Sequence, residues 1–394
     1  MSDIENLRNS SLPIYLYGAG ELAEMCFSSL THLGIEINGV AVQKQYFKEG
    51  SVFHGFLIQP AEPILNNNLS ANIVLCFLKD DYDDDIRKLK KIAPNCEFFT
   101  MQDMIAEKYP LRPGGYYSPI PSQREIKEYN FNAPLPKSLP GIDLNSEEQL
   151  RLLDLFEPFY KELPFPDEGN SRGGGMRYYY RNGFYTYSDA ILLYCMIRHL
   201  KPNKIIEVGS GFSSCVMLDT NEKFMGEEIN LTFVEPYPER LESLLKNNNK
   251  EKVVIHKKRI QEIPLEEFKK LCRNDILFID SSHVSKFRSD VNYIIHEILP
   301  ILADGVYIHF HDVFYPFEYP KEWLLEKRAW NEQYILRAFL QYNKNFKIMM
   351  FNTYLQSVYE AKIKSRFSLL YKEVTDWYKT TVAGSIWLRK EEET

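Results

Sequence analysis

Residues Lys204-Ile-Ile-Glu-Val-Gly-Ser-Gly211 restrict the folds open to this chain more than any other stretch. A β-branched apolar run reads as a strand, an acid sits near its end, and a Gly-x-Gly turn leads into a helix opened by Ser213 and Ser214. Two glycines allow a tight backbone turn that a ligand can approach. The helix beyond it starts with N–H groups that have no partner in the helix. Further apolar runs follow at Ile229–Glu235, Val253–His256, Asp275–Asp280 and Gly305–Phe310, with helical patterns between them, notably Asp290–Leu299. Lys347–Asn352 and Ser385–Arg389 complete the set. Continuous apolar strands alternating with helices predict an α/β, doubly wound, mostly parallel seven-stranded sheet. Ligands of such sheets sit at the carboxyl ends of the strands.

Those ends carry the chemistry. Glu207-Val-Gly-Ser-Gly211, the acid Glu235, Phe278-Ile-Asp-Ser-Ser-His283 and His309-Phe-His-Asp312 follow one another in a fixed order. In that order they resemble the motifs of class I S-adenosylmethionine-dependent methyltransferases, and more narrowly a bacterial branch associated with cell-surface glycans. The resemblance spans about residues 177–394; Ser213 stands where a third glycine is usual. It implies that Glu207, Gly209 and Gly211, with Ser210 between the glycines, hold the methionine part of the cofactor. It also implies that Glu235 binds the ribose hydroxyls, that Gln261 borders the adenine and that Asp280 belongs to the cofactor site. A carboxylate accepting two hydroxyl protons, and an amide serving the adenine edge, agree with that assignment.

Asp280 and His311-Asp312 end the fourth and fifth strands, which are neighbours in this topology, so their side chains are expected to converge. Carboxylate and imidazole together suit a divalent metal, and relatives with sugar or macrolide acceptors hold magnesium with acids at these strand ends. His311 stands where an acid is common in them. The competing expectation is direct catalysis without metal by His283 and His309, with Asp280 beside them; strand alternation puts Tyr307, His309 and His311 on one face. A purely structural role for one of these histidines is the third reading.

The aromatic, proline-interrupted segment Phe314–Trp323, with Arg328, Trp330, Asn331 and Glu332 behind it, reads as an acceptor platform or as a plug on the sheet edge. The stretch between the last two strands reads as an inserted helical cap. Ser188 is expected to cap a helix over Ile191–Leu200. The tyrosine-rich strip Arg177–Asp189, behind a glycine hinge at Gly173–Gly175, reads as a lid over the cofactor or as a packed strand leading into the sheet.

The first half is different. Leu12–Tyr17, the turn Gly18-Ala-Gly20 and a helix through Leu30, then strands at Ile35–Val42 and Ile73–Phe77, predict a smaller Rossmann-like α/β domain over residues 1–109. NAD binding calls for an acid near position 43, and Val40-Ala-Val-Gln-Lys44 offers none. Another nucleotide, a sugar nucleotide or no ligand remain open. Prolines 110, 113, 119, 121, 134, 136 and 140 predict an extended linker over 110–143, with the methyltransferase domain over 144–394.

A net charge of −7 without a basic stripe argues against nucleic acid. The Asp80–Asp85 run reads as a solvated loop or helix start. Six cysteines without a Cys-x-x-Cys pair suggest reduced thiols in a cytoplasm. No apolar run reaches the ~18 residues of a membrane span. The expectation is a cytoplasmic enzyme, with homo-oligomerisation open, that O-methylates a sugar or glycan precursor using S-adenosylmethionine and, in the metal reading, magnesium. Its rivals are an NAD(P)- or sugar-nucleotide-binding oxidoreductase or epimerase, and a non-catalytic binding module on the same fold.

Overall fold

The computed structural model describes residues 3–66, 69–77, 83–100, 118–169, 175–246, 252–372, 374–376, 379–381 and 383–392. The chain divides into two compact units, 1–130 with Leu324–Arg328, and 131–323 with 329–394. The glycines at 173 and 174, Asp80–Tyr82, and Pro110 and Pro113 of the expected linker lie outside the described residues.

In the first unit, β1 (Ile14–Tyr17), β2 (Gly39–Val42), β3 (Val52–Phe53), β4 (Phe56–Pro60), β5 (Asn72–Leu75) and β6 (Glu97–Thr100) form one sheet in the order β3-β4-β2-β1-β5-β6. All its pairings are parallel except β3 with β4. Alternate residues feed two cores. Leu16, Val40 and Val74 pack with Ala23, Cys26 and Leu30 of the helix Glu21–His32. Tyr17, Ala41, Ile73 and Leu75 pack on the other side with Ala61, Ile64 and Ala93. With both faces covered, the strands can be apolar throughout. β2 starts later than the sequence suggests, because the Asn38 side chain accepts the Ile14 N–H at 2.7 Å and takes a ladder partner's place.

In the second unit, β7 (Lys204–Val208), β8 (Asn230–Val234), β9 (Val254–His256), β10 (Ile276–Ile279), β11 (Tyr307–His311), β12 (Phe346–Phe351) and β15 (Ser385–Lys390) form a seven-stranded sheet in the order β12-β15-β11-β10-β7-β8-β9. Only β15 is antiparallel to its neighbours, running between β11 and β12. The short pair β13 (Val374–Asp376) and β14 (Lys379–Thr381) stands apart. Strand order reverses between β7 and β10, which opens the crevice where such sheets take ligands.

Several expectations are corrected. The helix expected over Ile191–Leu200 begins at Tyr187, and Thr186, not Ser188, flanks its start. Nearly all its residues are buried, so packing rather than capping fixes its end. The helical run from Asp290 passes through a π-helical turn at Ile294–Ile298. The described part of the linker is not wholly extended: Gln123–Glu128 is a helix, closed by a capping box in which Ser122 and Glu125 satisfy each other's backbone N–H groups. The insert before β15 is helical over Asn352–Val358 and Glu360–Lys364, then ends in the β13–β14 pair. The tyrosine strip is a packed segment: Tyr178, Tyr180, Tyr185 and Tyr187 are buried in the core. Among the described residues no helix is long and apolar enough to cross a membrane.

Candidate functional site

The turn after β7 is built by close approach. Gly209 has φ +79°, and a Cβ there would overlap the carbonyl oxygen of Asp280. Its N–H donates to Val234 O at 3.0 Å, and the Asp280 N–H donates to Val208 O at 2.8 Å. The bend is thus stitched to both neighbouring strands, and only glycine fits it.

Glu235, just past β8, turns its carboxylate back toward the bend. One oxygen accepts the Ser210 N–H at 3.1 Å and the other the Tyr237 N–H at 2.8 Å. This orients the carboxylate and leaves lone pairs for further donors. Glu207 does not reach the rim. It is fully buried, and its oxygens accept the hydroxyls of Ser213, at 2.5 Å, and Ser214. Burial pushes its carboxyl up to about 8, against the lowering effect of both hydroxyls. Its role is corrected from ligand contact to brace of the bend. Gln261 sits in the turn after β9, half-buried, its amide donating to Arg288 O at 2.9 Å.

Sequence reasoning missed Arg240. Its guanidinium lies 4.2 Å above the Phe184 ring, and its Cδ is 3.5 Å from where a Cβ on Gly211 would stand. The charge is close enough to favour the Asp280 carboxylate. A cation so near a glycine turn was invisible in sequence, since thirty residues separate the two.

The ends of β10 and β11 converge as expected. Asp280, His311 and Asp312 each present one donor atom, all within 4.8 Å of one another. His311 Nε2 is 3.4 Å from Asp312. Behind it, Nδ1 is 4.0 Å from Asp189, a buried carboxylate that accepts from Asn352 and Ser385 and is raised by burial to about 6.

His283 joins the same group: its Nε2 is 3.3 Å from Asp280 and 3.6 Å from Asp312. Its Nδ1 is 2.9 Å from the buried carboxylate of Glu332, a partner the sequence suggested only as a polar handle on the rim. The helix Glu332–Leu340 holds this loop, since the N–H groups of Asn331 and Glu332 both donate to His283 O. Burial works against a charge on His283, but Asp280, Glu332 and Asp312 outweigh it and hold the imidazole well above its ordinary range. Burial likewise opposes ionisation of Asp280, yet His311 and His283 keep its carboxyl low. His283 and Asp312 both have left-handed backbones, φ +58° and +56°. Such conformations cost about 1–3 kcal/mol each and gather at functional sites.

His309 is not brought to the rim. It is fully buried, stacked at 4.0 Å on Phe278 and packed edge-on against Trp387, with neither ring nitrogen hydrogen-bonded. Burial drives its pKa well below the usual value. The expectation that it serves as a base is corrected: a neutral core imidazole enclosed by aromatic rings has no path to an acceptor. The aromatic segment after β11 is likewise mostly packed, with Phe314, Tyr319 and Trp323 buried against one another, while Trp330 lies 4.4 Å from the His283 ring.

Residues 206–313 match the family model described as a methyltransferase domain. An uncharacterized protein of Archaeoglobus fulgidus is 38% identical over 131 residues, 32% of this chain and 58% of that protein. The chain therefore spans little more than half the length of the curated relative it matches. Among solved structures, the O-methyltransferase TomG of Streptomyces achromogenes, in complex with SAM, aligns at 13% identity over 62% of this chain and 90% of its own, with a TM-score of 0.34. A methyltransferase from Geobacter sulfurreducens aligns at 13% identity over 64% and 99%, with a TM-score of 0.33.

Proposed function

We propose that this chain is a methyltransferase that uses S-adenosylmethionine to methylate a hydroxyl of a small acceptor, and that the acceptor is a sugar or glycan precursor. The observation that carries the reading is one sheet edge, within the matched residues, holding together the Gly209 bend, the oriented Glu235 carboxylate and the Asp280–His311–Asp312 group.

Bound S-adenosylmethionine would supply an electrophilic methyl group on sulfonium. The protein supplies the rest. The bend offers backbone where a side chain cannot stand, Glu235 offers acceptor lone pairs for a diol, and Arg240 offers a cation for a carboxylate beside Gly211. Two carboxylates and an imidazole at the adjoining strand ends suit an acceptor that must be held in line and lose a proton. Positioning contributes most to such a displacement, and proton removal second.

The same three side chains fit a divalent cation, with mixed oxygen and nitrogen donors and Asp189 behind the imidazole. Magnesium held there would lower the pKa of an acceptor hydroxyl. A second reading has a specific observation behind it: His283, fixed by Glu332, points its other nitrogen at both acids and, at a pH above its raised pKa, can take the proton without metal.

The test is transfer of a labelled methyl group from S-adenosylmethionine to candidate sugar precursors, followed by mass spectrometry, with and without excess chelator. Labelled product that disappears on chelation and returns with magnesium supports the metal reading. Full activity in chelator selects His283. Failure to bind the cofactor would sink the assignment.

A further inference from the structure

The first unit has a cleft of about 880 Å³ of its own. It opens at the carboxyl ends of β1, β2 and β5, where the strand order reverses on either side of β1. That is where open parallel sheets take their ligands, and the volume is that of a site for a nucleotide-sized molecule.

Its walls bring several kinds of group together. The turn Gly18-Ala-Gly20 leads into the helix Glu21–His32, whose start has no side-chain cap. Gly18 has φ +133°, and a Cβ there would stand 2.9 Å from Cys76 O, so the backbone itself lines the cleft. Lys48 and Lys88 line the same space, with one carboxylate, Asp85, leaving the cations in excess. Uncapped helix N–H groups and two ammonium groups are the partners a phosphate takes. Gln43, just past β2, whose Oε1 accepts from Gln45 at 3.1 Å, and the ring of Tyr46 line it too, with Val42 and Ile58. An amide that donates and accepts, beside an exposed aromatic ring and aliphatic walls, suits a ribose and a base.

We propose that the first unit binds a nucleoside diphosphate, with the phosphates on the 18–20 turn and the nucleoside toward Gln43 and Tyr46. It binds and does not react. At the position that Asp280 takes in the other sheet stands Cys76, a buried thiol donating to Val74 O at 3.4 Å.

The test is calorimetric titration of the full chain with ADP, with UDP and with inorganic pyrophosphate. It is repeated on Gly20→Glu and Lys48→Glu, with S-adenosylmethionine titrated as the control. A Cβ on Gly20 meets nothing within 4 Å and Lys48 is exposed, so both variants should fold, as melting curves will check. The expected result is one-to-one binding of ADP or UDP, weakened at least tenfold in both variants, with S-adenosylmethionine affinity unchanged. The proposal is overturned if neither nucleotide binds at millimolar concentration, or if the variants bind like the parent. Pyrophosphate binding as tightly as both nucleotides would overturn the nucleoside half of it. Because S-adenosylmethionine is read separately, loss of the methyltransferase assignment would not be mistaken for loss of this one.

Discussion

The two units carry the same backbone device with different side chains around it. After β1, the Gly18 N–H donates to Ala41 O on one neighbouring strand, and the Cys76 N–H donates back to Tyr17 O from the other. After β7, Gly209 and Asp280 repeat both bonds with Val234 and Val208. In each, the missing glycine Cβ makes room for the carbonyl of the residue ending the next strand. The contrast lies at two equivalent positions. The second unit has Glu235 and Asp280 where the first has Val42 and Cys76. The turn is shared, but the second unit ends both strands beside it with a carboxylate and the first ends neither with one. Fold alone would not have told them apart.

Replacing Gly209 with alanine gives the largest expected effect. The Cβ must displace the Asp280 backbone and also sit at positive φ, so cofactor affinity should fall by two orders of magnitude or more, at about 1.4 kcal/mol per tenfold. Nucleotide affinity of the first unit should not move. Equal losses at both sites by calorimetry would mean that the two turns are not independent.

Asp312→Asn keeps a residue that tolerates left-handed backbone while removing the charge. Turnover should fall by about 10²-fold, in the range of a lost acid–base or electrostatic group, with cofactor affinity unchanged. Steady-state kinetics beside a binding titration separates the two, and unimpaired turnover would take Asp312 out of the site. Arg240→Gln should have the smallest effect, a several-fold loss of affinity for S-adenosylmethionine and none for its decarboxylated analogue. If both ligands weaken alike, Arg240 supports the Phe184 wall instead of pairing with a carboxylate.

Much of this was legible in sequence because strand ends punctuate it. Continuous apolar runs closed by Glu235, Asp280 or Asp312 fixed both strand positions and the side chains that meet at the edge. Features that depend on what packs behind a residue were less visible. His309 and His311 share a strand face, but Trp387, arriving from β15, buries one and leaves the other beside Asp312. Glu332 pairs with His283 across 49 residues, and no local pattern announces that. Two further signals stand in the sequence. Ser213 and Ser214 stand at the right offset to occupy the Glu207 carboxylate. Ser122-Gln-Arg-Glu125 is a capping box inside a proline-rich stretch.

The place of β15 has a bearing on biosynthesis. Residues 385–390 lie between β11 and β12, and Ser385 donates to the Asp189 carboxylate behind His311. While the chain is still emerging from the ribosome, β11 has a vacant flank, and the imidazole at its end lacks its support. The edge that carries Asp280, His311 and Asp312 can be completed only once residues 385–390 are made, so a nascent chain would expose an unpaired strand edge to chaperones or to other nascent chains.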